Sequence, residues 1–180
     1  MQKTKRIILT VIIAVLFAGA LTGGYFGYKK LSEKHSPSGG VSVGSEERYK
    51  DFTITDASGK TVKLSEFIGK PVVINFWASW CAPCKSELPH FNKVAKELEG
   101  KAEFLMVSVY LNKSQVKQFV SQNGYTFPLY FDDNEEGSAA YDITGIPVTV
   151  FINAEGNVKA KVVGAISEAV LRSYISKIMN

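Results

Sequence analysis

The junction between a predicted buried strand and the helix that follows it constrains the fold more than any other feature of the sequence. Residues 72–77 form a nearly uninterrupted apolar run rich in β-branched and aromatic side chains, which predicts a strand buried on both faces. The sequence Trp80-Cys81-Ala82-Pro83-Cys84-Lys85 follows almost at once. Pro83 suits the first turn of a helix, where its missing N–H group loses no hydrogen bond. Both cysteines of the chain are therefore expected where a helix begins.

Strand and helix patterns alternate on either side of this junction, and turn residues separate them. The patterns predict further strands at 52–55, 61–64, 104–109, 147–152 and 158–163. They predict helices between the buried strands 72–77 and 104–109, at 114–123 and at 167–179. This order predicts an α/β fold in which helices cover both faces of a central sheet. The first two strands and the last two are each expected to form a hairpin.

The amino-terminal part of the chain is predicted to meet a membrane. Residues 7–28 carry no charge over about 22 positions, enough for a helix to cross a bilayer core of about 30 Å. We divide the chain into a basic cytoplasmic tail (1–6), a transmembrane signal-anchor (7–28), a flexible linker rich in Ser, Gly and charge (29–48), and a folded domain (49–180). The alternative is a signal peptide cleaved near Ala18-Gly19-Ala20. Either segment would place the domain on the extracytoplasmic side.

Three glycines in the predicted span recur every four residues, at Gly19, Gly23 and Gly27. Such a stripe lets a second membrane helix approach closely, although glycine is also simply common in membrane spans. If Gly23→Ile left association in detergent unchanged, packing through this stripe would be ruled out.

Composition argues against two other classes of protein. The net charge is only +4, and part of it flanks the apolar run, so a basic surface for nucleic acid is not indicated. Two cysteines in one short stretch cannot form the several disulfides that hold a small disulfide-rich fold together. Redox chemistry, if present, must occur at this pair.

The position of the two cysteines predicts different chemistry for each. Backbone N–H groups and the dipole at a helix start favour negative charge, so Cys81, at the exposed helix start, should be stabilised as the thiolate that attacks disulfides. Lowering a thiol pKa from about 8.5 to about 7 raises the thiolate fraction at pH 7 roughly tenfold. Cys84, one turn further on and more buried, should resolve the mixed disulfide.

Other uses of the two cysteines are less consistent with the sequence. A zinc site needs four ligands, and only His35 and His90 could complete it. A peroxidatic thiol would call for a threonine or serine at position 78, which is Ala78. A purely structural disulfide would be unusual at so short a spacing. A metallochaperone that holds copper(I) between the two thiolates is the rival from another class.

Glu87 is the one charged residue on the apolar stripe of the predicted helix. At about 100° per residue it falls among the residues that should face the core, which are Cys84, Leu88, Phe91, Val94, Ala95 and Leu98. A carboxyl group there, three residues from Cys84, should have a raised pKa and accept a proton from the buried thiol. The alternative is that a kink at Pro89 lets the side chain reach solvent.

These residues resemble the thioredoxin superfamily, and within it the membrane-anchored TlpA/ResA-like thiol–disulfide oxidoreductases. The resemblance covers residues 49–180 and rests on Trp80 to Lys85, on Glu87 and Pro89, and on Gly145-Ile146-Pro147 before a strand. It implies a thioredoxin-like fold with a central mixed sheet, an amino-terminal β-hairpin and an inserted αβ unit at 114–140, whose strand is expected at 125–131. It also implies a cis proline at Pro147. The residues expected to bind substrate are Trp80, Ala82, Pro83, Ile146 and Pro147.

One position departs from cytoplasmic thioredoxins, which carry a buried aspartate six residues before the first cysteine. Asn75 stands there in this chain. An amide cannot accept the proton, which strengthens the prediction that Glu87 does.

The resemblance also implies a place in electron transfer. We expect an enzyme of the bacterial cell membrane that reduces disulfides of extracytoplasmic proteins without a bound cofactor. A CcdA/DsbD-type membrane protein would supply the electrons, and the substrates would include apocytochrome c or a methionine sulfoxide reductase. The alternative within the same fold is a thiol oxidase or isomerase.

Overall fold

The computed structural model describes residues 41–42 and 47–180. The predicted tail, the predicted span at 7–28 and its glycine stripe lie outside these residues. Within the part described, no helix combines the length and the apolar character that a membrane crossing requires.

The strands of the described residues form one mixed sheet, with β4 near its centre. Its order is β1-β8-β7-β4-β5-β6-β2-β3. The strands are β1 (Val41–Ser42), β2 (Thr53–Asp56), β3 (Thr61–Lys63), β4 (Val72–Trp77), β5 (Glu103–Ser108), β6 (Leu129–Phe131), β7 (Val148–Ile152) and β8 (Val158–Val163). β4 runs parallel to β5 and antiparallel to β7. All six of its residues are buried, as the apolar run predicted.

Four α-helices and one 3-10 turn accompany the sheet in the described residues. The helices are α1 (Ala82–Glu97), α2 (Lys113–Gln122), α3 (Glu136–Ala140) and α4 (Glu168–Ile178), and the 3-10 turn is Leu64–Phe67. Polar side chains cap three of them by accepting a backbone N–H bond, which satisfies a donor that the first helical turn would leave free. The capping residues are Cys81 for α1, Asn112 for α2 and Ser167 for α4.

The core lies on both faces of the sheet, because side chains alternate along β4. Val73 and Trp77 join the cluster that contains Cys84, Leu88 and other apolar residues of α1 and α4. Val72, Ile74 and Phe76 of β4 join the opposite cluster, with Phe52 and Tyr141. Asn75 shares its face of the strand with Val73 and Trp77, so its side chain is on the side of α1 and α4.

The inserted unit differs from the prediction in two places. The strand expected at 125–131 spans only Leu129–Phe131, because Pro128 lacks a backbone donor and the N–H groups of Thr126 and Phe127 donate to the Asn92 side chain instead. The short helix α3 was not predicted. The side chain of Asp132 accepts the N–H groups of its first residues.

The remaining elements follow the predicted order, with bounds that differ by one or two residues. The hairpin β2–β3 adds to the sheet through an antiparallel pairing of β2 with β6. One further strand was not predicted: β1 pairs with β8, Val41 opposite Val162, and falls inside the segment 29–48 predicted as a linker.

Candidate active site

The two cysteines lie where β4 gives way to α1. β4 ends at Trp77, and Cys81 occupies the N-cap position of α1 with extended backbone angles. The sulfurs of Cys81 and Cys84 form a disulfide, and their Cα atoms are 5.3 Å apart. The Sγ of Cys81 accepts a hydrogen bond of 3.2 Å from the backbone N–H of Cys84. This is the contact that a thiolate at this position would use.

The exposure of the two cysteines corrects one expectation. Cys81 was expected to be exposed at the helix start, but only 5% of it is accessible, against 0% for Cys84. The sulfur is covered because it is bonded to Cys84 and its Sγ lies 3.8 Å from the carbonyl oxygen of Ile146. Cys81 is still the more accessible of the pair.

The residues predicted to bind substrate surround Cys81. Trp80 is 63% exposed, and Ala82 and Pro83 are exposed beside it. The Ile146–Pro147 peptide bond is cis, as the resemblance implied. Pro147 itself is buried, and Ile146 is half-buried.

A groove of about 330 Å³ brings Trp80, which precedes Cys81 in the chain, and Ile146, whose carbonyl oxygen lies 3.8 Å from Cys81 Sγ, into one surface. Its other lining residues are Val109, Asp132, Glu135, Ser138, Ile143, Thr144 and Gly145. Ala82, Pro83 and Pro147 do not line it.

Glu87 is buried on the core side of α1, with 1% of its surface accessible. Pro89 lies inside the helix, yet α1 continues through it and the carboxyl group does not reach solvent. One carboxyl oxygen of Glu87 accepts from Asn75 Nδ2 at 2.8 Å, and the other accepts from the backbone N–H of Ile166 at 2.8 Å. Two donors from outside the helix therefore fix the carboxyl group from both sides.

Burial raises the pKa of Glu87 from 4.5 to about 7. Loss of hydration disfavours the ionised form and is the largest effect, and the hydrogen bonds from Ile166 and Asn75 partly oppose it because they stabilise the carboxylate. A carboxyl group with a pKa near neutrality can both accept and release a proton under physiological conditions.

Sequence reasoning missed two members of this network, Thr149 and Ile166. Thr149 lies opposite Asn75 in the pairing of β4 with β7, and its hydroxyl accepts from Asn75 Nδ2 at 3.0 Å. The position of Thr149 two residues after Pro147 was the only available signal. This spacing indicates a contact with Asn75 only when the pairing of β7 with β4 is known.

No group of three or more His, Cys, Asp or Glu side chains in residues 47–180 has the arrangement of a metal site.

Comparison with known proteins assigns the chain to a family. Residues 46–161 match the model of the AhpC/TSA family. The thiol–disulfide oxidoreductase ResA of Bacillus subtilis (strain 168) is 31% identical over 179 residues, which are 99% of this chain and 96% of that protein. ResA of Geobacillus thermodenitrificans (strain NG80-2) is 30% identical, and the match covers 99% of each chain.

Solved structures agree with the sequence comparison. A thiol:disulfide interchange protein of the thioredoxin family from Chlorobium tepidum TLS has a TM-score of 0.68 and 27% identity, over 77% of this chain and 100% of that one. StoA from Bacillus subtilis has a TM-score of 0.61 and 26% identity, over 69% and 96%. The predicted thioredoxin-like fold and enzyme class are confirmed. The chain belongs to the AhpC/TSA family and is a thioredoxin-like thiol–disulfide oxidoreductase of the ResA type.

Proposed function

We propose that the protein reduces disulfides of other proteins, with Cys81 as the attacking sulfur and Cys84 as the resolving one. The observation that carries this proposal is the position of the Cys81 sulfur at the N-cap of α1, where it accepts the Cys84 N–H. A helix start and a backbone donor both favour the anionic sulfur over the thiol.

The reaction proceeds in two exchange steps that conserve electrons and protons. The Cys81 thiolate attacks one sulfur of the substrate disulfide, and the other substrate sulfur leaves and takes up a proton. Cys84, once deprotonated, attacks Cys81 Sγ, forms the Cys81–Cys84 disulfide and releases the second substrate sulfur as a thiol. Two electrons have then passed from the enzyme to the substrate.

Glu87 serves the second step as the acceptor of the Cys84 proton. The two residues are three positions apart on α1, a spacing that puts side chains side by side, and both are buried. Burial disfavours the Cys84 thiolate, so this sulfur needs a base. A carboxylate with a pKa of about 7 can take the proton at neutral pH and return it to the released sulfur.

We infer the reductive direction from the Ala-Pro pair between the cysteines, which resembles that of reductases more than the His-containing motifs of oxidants. Electrons must then reach the protein from a donor. The uncharged segment 7–28 supports anchoring in the bacterial cell membrane, with the enzyme domain on the extracytoplasmic side and a CcdA/DsbD-type membrane protein as donor. Apocytochrome c and an extracytoplasmic methionine sulfoxide reductase are the proposed substrates. Tethering would raise the effective concentration near such partners.

Location can be tested with a membrane-impermeant maleimide on intact cells. The reduced cysteines should be labelled, whereas those of a cytoplasmic protein should not. Labelling seen only after lysis would contradict the extracytoplasmic placement.

The direction of electron flow is tested by the reduction potential of the Cys81–Cys84 pair. We expect a value closer to that of thioredoxin, about −270 mV, than to that of DsbA, about −120 mV. Equilibration of the purified protein with glutathione or dithiothreitol buffers, followed by alkylation and mass measurement, gives the potential. A value near that of DsbA would reverse the proposed direction and leave the exchange chemistry in place.

A further inference from the structure

The amide of Asn75 uses both of its hydrogens inside the core. Its Nδ2 donates to Glu87 at 2.8 Å and to the hydroxyl of Thr149 at 3.0 Å. All three side chains are nearly or fully inaccessible, with 0% exposure for Asn75 and Thr149 and 1% for Glu87. They come from three elements, β4, β7 and α1, so the contact exists only in the folded sheet.

The other end of the same amide has no partner. Asn75 Oδ1 is one of two buried side-chain polar atoms in the described residues that make no hydrogen bond, the second being Trp77 Nε1. A buried acceptor without a partner destabilises the fold, and an apolar side chain of similar shape would avoid that cost. A purely structural role therefore explains Asn75 poorly.

The orientation of the amide fits an ionised partner. Because Nδ2 faces the Glu87 oxygen, the amide donates to that oxygen, and a charged acceptor gains more from such a bond than a neutral one. The backbone N–H of Ile166 does the same for the second oxygen. A carboxylate at position 75 could not donate, and an aliphatic side chain could not either.

We propose that Asn75 is a positioning residue whose amide, held in place by the hydroxyl of Thr149, stabilises the ionised form of the Glu87 carboxyl group and orients it for proton transfer. This inference rests on the proposed role of Glu87. The proposal also assigns a role to β7, the strand that follows Pro147, because Thr149 on this strand carries the hydroxyl that orients Asn75.

The surroundings of Glu87 offer no competing explanation for its titration. Cys84 neighbours it on α1, and Asn75, whose amide also donates to Thr149, donates to it from the sheet. The Ile166 N–H approaches from the segment before α4. Burial raises the pKa of Glu87, the bonds from Ile166 and Asn75 lower it, and no charged side chain of the described residues contributes. Loss of the Asn75 amide should therefore move the titration upward.

The test is a ¹³C NMR titration of the Glu87 carboxyl carbon in the full-length oxidised protein. Asn75→Leu removes both donors while keeping the branching at Cγ, and Thr149→Val removes only the hydroxyl. We expect the midpoint to rise by about one pH unit in Asn75→Leu, a tenfold change in proton affinity, and by about half a unit in Thr149→Val. Thr149→Ser should restore the wild-type midpoint because it restores the hydroxyl.

Ser108→Ala is the matched control, because Ser108 is also buried in the sheet but bonds only to the backbone of Tyr110. Its midpoint should equal that of the wild type. Midpoints in Asn75→Leu and Thr149→Val that stay within about 0.3 unit of the wild type would overturn the proposal. If Asn75→Leu fails to fold, the Thr149→Val and Thr149→Ser pair decides alone.

A separate measurement distinguishes this inference from the proposed function. The pH dependence of disulfide exchange in Glu87→Gln tests the proton role of Glu87 directly. An unchanged profile there would refute that role and, with it, the purpose assigned to Asn75, even if the NMR midpoints shift. A changed profile together with unshifted midpoints would refute the positioning role of Asn75 alone.

Discussion

Cys81 and Cys84 have the same side chain, but their different positions at the start of α1 give the two sulfurs different surroundings. Cys81 precedes the helix, retains 5% of its surface and accepts a backbone N–H, whereas Cys84 is inaccessible within the first turn. Access and anion stabilisation both favour attack by Cys81. Attack by Cys84 requires that its target already be bound at Cys81.

This asymmetry predicts opposite results for two serine variants. Cys84→Ser should accumulate a mixed disulfide between Cys81 and a substrate protein, because the resolving sulfur is missing. Cys81→Ser should form such a species at least about tenfold more slowly, since the remaining thiol is buried. Non-reducing mass spectrometry after mixing with a disulfide-containing protein measures both. Faster trapping through Cys84 would reverse the assigned roles.

At the scale of elements, α1 connects the redox centre with the inserted unit. Its N-cap and first turn carry the two cysteines, and its core side carries Glu87. Its second half carries Asn92, whose side chain accepts the backbone N–H groups of Thr126 and Phe127 at 2.7 and 3.2 Å. These bonds fix the segment that leads into β6. The position of the inserted strand thus depends on a side chain of the active-site helix.

Asn92→Ala should therefore lower the free energy of unfolding by about 1–2 kcal/mol, because two backbone donors lose their acceptor. Lys93→Gln is the control on the same helix, since Lys93 makes only an exposed ion pair with Glu168, and its effect should stay within about 0.5 kcal/mol. Urea denaturation of both variants measures the difference. Equal effects would mean that Asn92 does not anchor the insertion.

The sequence patterns within short segments were sufficient to predict most helices and strands and the position of the dithiol. They were not sufficient to predict the contacts between strands. The apolar run predicted β4 with its bounds, and the core-facing stripe predicted the burial of Glu87. The Asn75–Thr149 contact depends on the pairing of β4 with β7, which lie more than 70 residues apart. Periodicity gives the face on which a side chain lies, but it does not identify the neighbouring strand. Helix α3 is short enough that its periodicity carries little signal.

At the scale of the whole molecule, the fold buries a carboxyl group that water would otherwise hydrate. Glu87 lies in the layer between the sheet and the helices α1 and α4, which is filled by apolar side chains such as Leu88 and Leu171. Removal of that layer on unfolding returns Glu87 to solvent. Its protonation is therefore linked to the stability of the entire domain.

The linkage predicts that the oxidised protein loses stability as the pH rises. Glu87 releases its proton near pH 4.5 when unfolded and near pH 7 when folded, so between these values the folded state binds more protons. Its contribution is fully present below pH 4.5 and is lost as the pH passes 7. The free energy of unfolding should fall by about 2–3 kcal/mol between pH 5 and pH 8 from this group alone.

Urea denaturation at several pH values measures this fall, and two variants assign it. Glu87→Gln has no proton to release, so its stability should vary less over the same interval by about 2–3 kcal/mol. Glu99→Gln removes an exposed glutamate just beyond the end of α1 and should keep the wild-type dependence, because a solvated carboxyl group gains little from folding. Carboxyl groups whose pKa is lowered by ion pairs, such as Asp133 and Glu168, act below pH 5 and leave this interval unaffected. If Glu87→Gln retained the full pH dependence, the raised pKa of Glu87 and the proton transfer built on it would both be wrong.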